Sequence, residues 1–203
     1  MKVKKILLGL IILFFAVGVG YYIWHDLNKK DQPEQPKQEE QSQPPVHPDL
    51  PNLDRPINIT VTLSEDAKKI AKEKIEKLSS ELKQDPSLFE NWLVLGIYRK
   101  MIGDLEGAKE CWEYAGFLAP QSPTPFNNLG DLYANYLKDN KKAEENFLIA
   151  IKNGPDQIYI YRSFYEFYRD TMKDNAKAKQ ILEQGISANP TTSQDLKNLL
   201  DNF

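Results

Sequence analysis

Four prolines, Pro86, Pro120, Pro155 and Pro190, stand 34, 35 and 35 residues apart, and between them the same kinds of side chain return in register. Trp92, Leu95 and Gly96 lead to Ala108, Trp112 and Ala115. Phe126, Leu129, Gly130 and Tyr133 lead to Ala143, Phe147 and Ala150, and Tyr161, Phe164 and Tyr168 to Ala178, Leu182 and Gly185. A fixed period of this length describes one supersecondary unit stacked on copies of itself. Apolar positions within each copy advance by three or four, which is helical spacing. The aromatic at Trp92, Phe126 or Tyr161 suits a wedge between helices, and Ala108, Ala143 and Ala178 let a second helix pack closely on the first. Proline closes each copy because it cannot continue a helix interior.

Seven classes of position at this spacing resemble the tetratricopeptide-repeat (TPR) family, over about 89–189. The resemblance implies an all-α TPR helical-repeat superhelix with repeats at 89–122, 123–157 and 158–190, its concave face lined by the first helix of each repeat. Eight short helices in a right-handed winding are expected. Asp104, Asn140 and Asn175 sit where second helices should start and read as caps. Three departures stand out: Arg99 replaces the aromatic of Tyr133 and Tyr168, repeats two and three carry one extra residue in the inter-helix turn, and Tyr165 replaces Gly96 and Gly130. The last should loosen helix packing in repeat three. A flanking helix in 64–88 has Ser64 as N-cap and a stripe of Ala67, Ile70, Ala71, Ile75, Leu78 and Leu82. A capping helix in 191–203 carries Leu196, Leu199 and Leu200 on one side.

Ahead of the repeats the sequence changes character. The tail 1–5 is basic, and the range 6–24 holds no charged residue. At about 1.5 Å per residue it is long enough for a hydrocarbon core of roughly 30 Å. Tyr21, Tyr22 and Trp24 gather at its outer end, where aromatic rings settle among headgroups. The range predicts a single-pass transmembrane signal anchor, with a cytoplasmic amino terminus and an extracytoplasmic repeat domain. Ala16-Val17-Gly18 keeps open a secreted product after signal-peptide cleavage. Residues 25–56, rich in Pro, Gln and Glu, read as a disordered linker that cannot bury enough surface to order itself. In 57–63, Ile57, Ile59, Val61 and Leu63 alternate with polar residues. That strand period suits an extended arm on the first helix or an edge offered to a partner's sheet.

A net charge of −3 gives no basic footprint for nucleic acid. The two histidines, His25 and His47, lie outside the repeats, Cys111 stands alone, and no phosphate loop or HExxH occurs. The reading is therefore no enzyme, no cofactor and no metal, but a scaffold for a protein or peptide partner, tethered through 6–24. The resemblance points to Leu93, Ile97 and Met101, then Asn127, Asn128 and Asp131, then Tyr159, Arg162, Glu166 and Arg169 as the concave partner-binding face. The family's clamp for a terminal carboxylate would need basic and amide side chains where Leu93, Ile97, Asn128, Tyr159 and Ser163 stand, and only Asn128 matches. Arg162 and Arg169 could also do no more than pair with Glu166 along the helix. Cell-envelope assembly, secretion or cytochrome maturation are the settings the resemblance suggests. The alternative is a permanent structural subunit with no exchanging ligand.

Overall fold

The computed structural model describes residues 49–203, which form an all-α helical-repeat fold with no strand among the described residues. Its helices are α1 (Glu65–Gln84), α2 (Phe89–Met101), α3 (Leu105–Leu118), α4 (Pro123–Leu132), α5 (Asn140–Asn153), α6 (Ile158–Glu166), α7 (Asn175–Ala188) and α8 (Gln194–Asp201). The pairs α2–α3, α4–α5 and α6–α7 fall within the three expected repeats. Helix α1 flanks the first pair and α8 the last. None of the helices among the described residues is long and apolar enough to cross a membrane. The range 6–24 lies outside the described residues.

The first two pairs are each held close by a glycine facing an aromatic ring. A Cβ added at Gly130 would meet the Phe147 ring at 2.8 Å, and one at Gly96 would run into the Trp112 indole. Trp112 and Phe147 are themselves fully buried. In the third repeat Tyr165 occupies the glycine position and is buried. Successive repeats are registered through the proline carbonyls. Asn153 Nδ2 donates to Pro120 O (2.8 Å) and Asn189 Nδ2 to Pro155 O (3.0 Å). Trp92 Nε1 donates to Pro86 O (2.8 Å) and Tyr161 hydroxyl to Pro155 O (3.1 Å). A residue chosen because it stops a helix thus also supplies an acceptor for its neighbour.

The extra residue of repeats two and three is absorbed inside the end of the first helix. Tyr133–Leu137 and Phe167–Met172 widen into π turns, which end in left-handed lysines, Lys138 (φ 58°) and Lys173 (φ 55°). Gly103 (φ 86°) holds the equivalent place in repeat one. The cap assignment shifts accordingly. Asp104 accepts from Gly107 N, but in the later repeats Asp139 accepts from Lys142 N and Asp174 from Lys177 N, so Asn140 and Asn175 are first helical residues. The aspartate immediately after the left-handed residue is the one positioned to cap. Tyr133 donates to Glu113 and Tyr168 to Glu144, each reaching the second helix of the preceding repeat. The Tyr168 hydrogen bond, with Lys177 beside it, holds the Glu144 carboxyl below its ordinary value.

Ser64 caps α1 by accepting from Ala67 N, and Ala71, Ile75, Leu78 and Leu82 are buried. Ile70 is exposed and Ala67 half-buried, so the buried stripe is narrower than the sequence suggested. Leu196 of α8 is fully buried, with Leu199 and Leu200 half-buried beside it. The linker range 25–56 extends too far. Pro51 is buried, Arg55 pairs with Asp104 and Glu110, and the segment from Pro51 to Thr60 turns at Leu53–Asp54, where Arg55 N donates to Asn52 O (3.2 Å), then alternates inward and outward against the helices as an extended arm. Apolar Leu53, Ile57 and Ile59 on its inner side give it the surface that the Gln-rich stretch lacks.

Gly130→Ala should destabilise the fold by about 1–3 kcal/mol, because the new methyl would overlap a ring that has no room to retreat. The helix propensity gained, up to about 1 kcal/mol, offsets only part of that. Denaturant unfolding followed by helical circular dichroism measures the difference, and an unchanged midpoint would refute the close-packing account.

Candidate partner-binding face

On each first helix the residues turned away from its second helix recur at the repeat spacing. They are Glu90, Val94, Ile97 and Met101 on α2, then Thr124, Asn128, Asp131 and Asn135, then Tyr159, Ser163 and Glu166 on α6. The first set is one stripe at positions four, three and four apart, and Val94, Ile97 and Met101 all remain exposed. The later sets are polar apart from Tyr159, which is 42% exposed. The side chains bridge from repeat to repeat. Lys100 Nζ pairs with Asp131 at 2.8 Å and lies 5.7 Å and 5.5 Å from the Trp112 and Tyr136 ring centroids. Asn135 Nδ2 donates to the other Asp131 oxygen (2.7 Å), and the Thr124 and Tyr159 hydroxyls stand 3.5 Å apart.

The ten residues singled out in the sequence divide into three groups. Ile97, Met101, Asn128, Asp131, Tyr159 and Glu166 lie on these stripes. Leu93 and Asn127 do not: both are buried at positions one residue earlier in the period. Arg162 holds that same position in repeat three, yet it is exposed and faces a cavity of about 270 Å³ shared with Asp195, Asn198 and Leu199 of α8. It does pair with Glu166, at 3.3 Å. Arg169 pairs elsewhere. The π turn carries it off the α-helical phase, and its guanidinium bonds Asp170 (2.6 and 2.7 Å) and the Tyr165 hydroxyl (2.7 Å) while lying 4.7 Å from the Tyr165 ring centroid. Asp170 in return is held below its ordinary pKa by Arg169. The sequence reading missed Val94. Counting from Glu90 by four and three finds it.

Asn127 is 8% exposed and its Oδ1 has no hydrogen-bond partner. An unpaired buried acceptor is a cost of about 1–3 kcal/mol that packing alone does not require. The thiol of Cys111 is pushed up to about 12 by burial, which leaves it a neutral packing group. Among the described residues no cluster of His, Cys, Asp and Glu could hold a metal ion.

No family model matches the sequence. No curated protein matches it. Among solved structures, the crystal structure of MamA superposes with a TM-score of 0.49 and 22% identity, over 70% of this chain and 89% of that one.

Asn127→Leu places at this position the side chain that Leu93 supplies in repeat one. It should stabilise the chain by about 1 kcal/mol, by removing the orphaned amide and adding apolar contact. Chemical denaturation of the variant beside the parent measures this, and a loss of stability would show that the amide has a structural partner.

Proposed function

We propose that the chain is a membrane-tethered, non-enzymatic scaffold that holds a protein or peptide on the face made by its first helices. The observation that carries this reading is the row of apolar and aromatic side chains left uncovered there. Val94, Ile97 and Met101 are exposed on α2, and Tyr136 and Tyr159 are exposed in the second and third repeats. Uncovered aliphatic and tyrosine side chains supply anchors, and the Lys100–Asp131 pair and the amides around it supply a polar rim. The strip is narrow and interrupted by charge, which suits a partner that comes and goes better than a permanent subunit contact.

A photocrosslinker placed at Ile97 in cells should capture a defined partner. Ile97→Asp together with Tyr159→Ala should abolish that capture and shift stability by no more than about 0.5 kcal/mol, since both side chains are exposed. Capture that survives the double substitution would move the site off this face.

The tether rests on the uncharged range 6–24 and its aromatic outer end. With the amino terminus cytoplasmic, protease added outside spheroplasts should cut within the proline-rich spacer and release the repeats. Full protection behind an intact inner membrane would overturn the orientation.

A further inference from the structure

Three features that separate the first repeat from the others meet at one place. Arg99 stands where the later repeats have Tyr133 and Tyr168, and Gly103 where they have Lys138 and Lys173. The arm from Pro51 to Thr60 lies over both. Arg99 is 2% exposed, and its guanidinium donates to Pro56 O, Arg55 O and the Asp104 carboxylate, each at 3.1 Å. Thr60 N donates to Ile102 O at 2.9 Å. A Cβ at Gly103 would collide with the Thr60 side chain, so a lysine there would push the arm away. The contacts therefore read the arm's backbone, two carbonyls and one N–H, while alternate side chains set its register. That is how grooves recognise extended peptides.

The arm behaves as an occupant of this trough more than as part of the core. Leu53, Ile57 and Ile59 are only half-buried, whereas Ile75, Arg99 and Ile102 beneath them are buried. A cavity of about 260 Å³ remains where the arm meets α1, lined by Leu53, Ile57, Ser79 and Arg99 among others. Ser79 Oγ, buried there, has no hydrogen-bond partner. A segment offering a polar atom at that point would fit better than the arm does.

We propose that the trough between α1 and α3, floored by Arg99 and Gly103, is a second peptide site, apart from the first-helix face. It takes a segment of the pattern apolar-x-Arg-Pro-apolar-x-apolar that turns at its first two residues and runs extended from the arginine, and the chain's own Leu53–Ile59 is an exchangeable strap that fills it. Because the strap is tethered next to its site, its effective concentration is high, and a free peptide binds measurably only when the strap is weakened.

The test uses the full chain in detergent micelles and a fluorescein-labelled synthetic peptide with the sequence of residues 49–63. Ile57→Asp with Ile59→Asp in the chain should free the trough, so that the variant binds the peptide at least ten-fold more tightly than the unchanged chain. A peptide carrying the same two aspartates should not bind. Equal binding by both chains, no binding by the folded variant, or loss of its helical circular dichroism would overturn the proposal. The last outcome would make the arm part of the core. Hydrogen exchange on the unchanged chain gives a reading that needs no variant. The Thr60 amide should exchange faster than the Trp112 amide through local opening, and exchange at the same rate would overturn the strap.

Discussion

The whole stack depends on the distance at which two helices can lie side by side. At Gly96 and Gly130 that distance is set by a missing Cβ, since an indole or phenyl ring from the second helix occupies the space where it would project. Everything else follows from it. The ring, once seated, is fully buried; of the repeated aromatics, Trp92 packs on Tyr114 and Tyr161 on Gly185 within their own pairs, while Phe126 lies against Gly116 of the preceding pair. Glycine costs up to about 1 kcal/mol in helix propensity, and the burial of a large aromatic recovers that several times over. Between the second and third pairs, Phe147 of α5 joins Phe164, Phe167 and Tyr168 in a cluster of tilted and stacked rings.

Polar contacts distinguish the ends of the stack from its middle. Between repeats the joints are tyrosine hydroxyls on carboxylates and asparagine amides on proline carbonyls, each made from one repeat to the preceding one. At the start of the stack there is no preceding pair to supply a carboxylate, and an arginine reaching main-chain carbonyls takes the tyrosine's place. Arginine suits this position because its planar fork satisfies several acceptors at once, while its charge is balanced by Asp104. At the other end the position buried in the first two repeats opens, and Arg162 is the residue found there.

How much of this was legible in the sequence depended on whether a feature repeats. The helix pairs, the aromatic wedges and the flanking helices α1 and α8 could be read because each leaves a periodic trace. The caps were misread by one residue, because a π turn followed by a left-handed lysine has no composition signature; Asn140 and Asn175 are good cap residues that happen to follow better-placed aspartates. The arm's strand-like alternation was visible, but its start was not, since Pro51 and Arg55 look like the spacer before them until Glu110 and Arg99 are known to be opposite. Of the α2 residues to which the resemblance points, Ile97 and Met101 are exposed, and Leu93, one position off their stripe, is buried. A difference of about 100° around a helix separates burial from exposure, and the partner that covers a side chain lies a full repeat away in the sequence.

The π turns have a consequence for how such a stack can change. A π turn is a place where a helix has taken in one residue and left the elements on both sides where they were. The first-helix ends at 133–137 and 167–172 are therefore points where the chain can gain or lose a single codon's worth of length without shearing one repeat against the next. The 34- and 35-residue spacings record two settings of the same joint, and a drifting lineage of repeats would be expected to change length there before anywhere else.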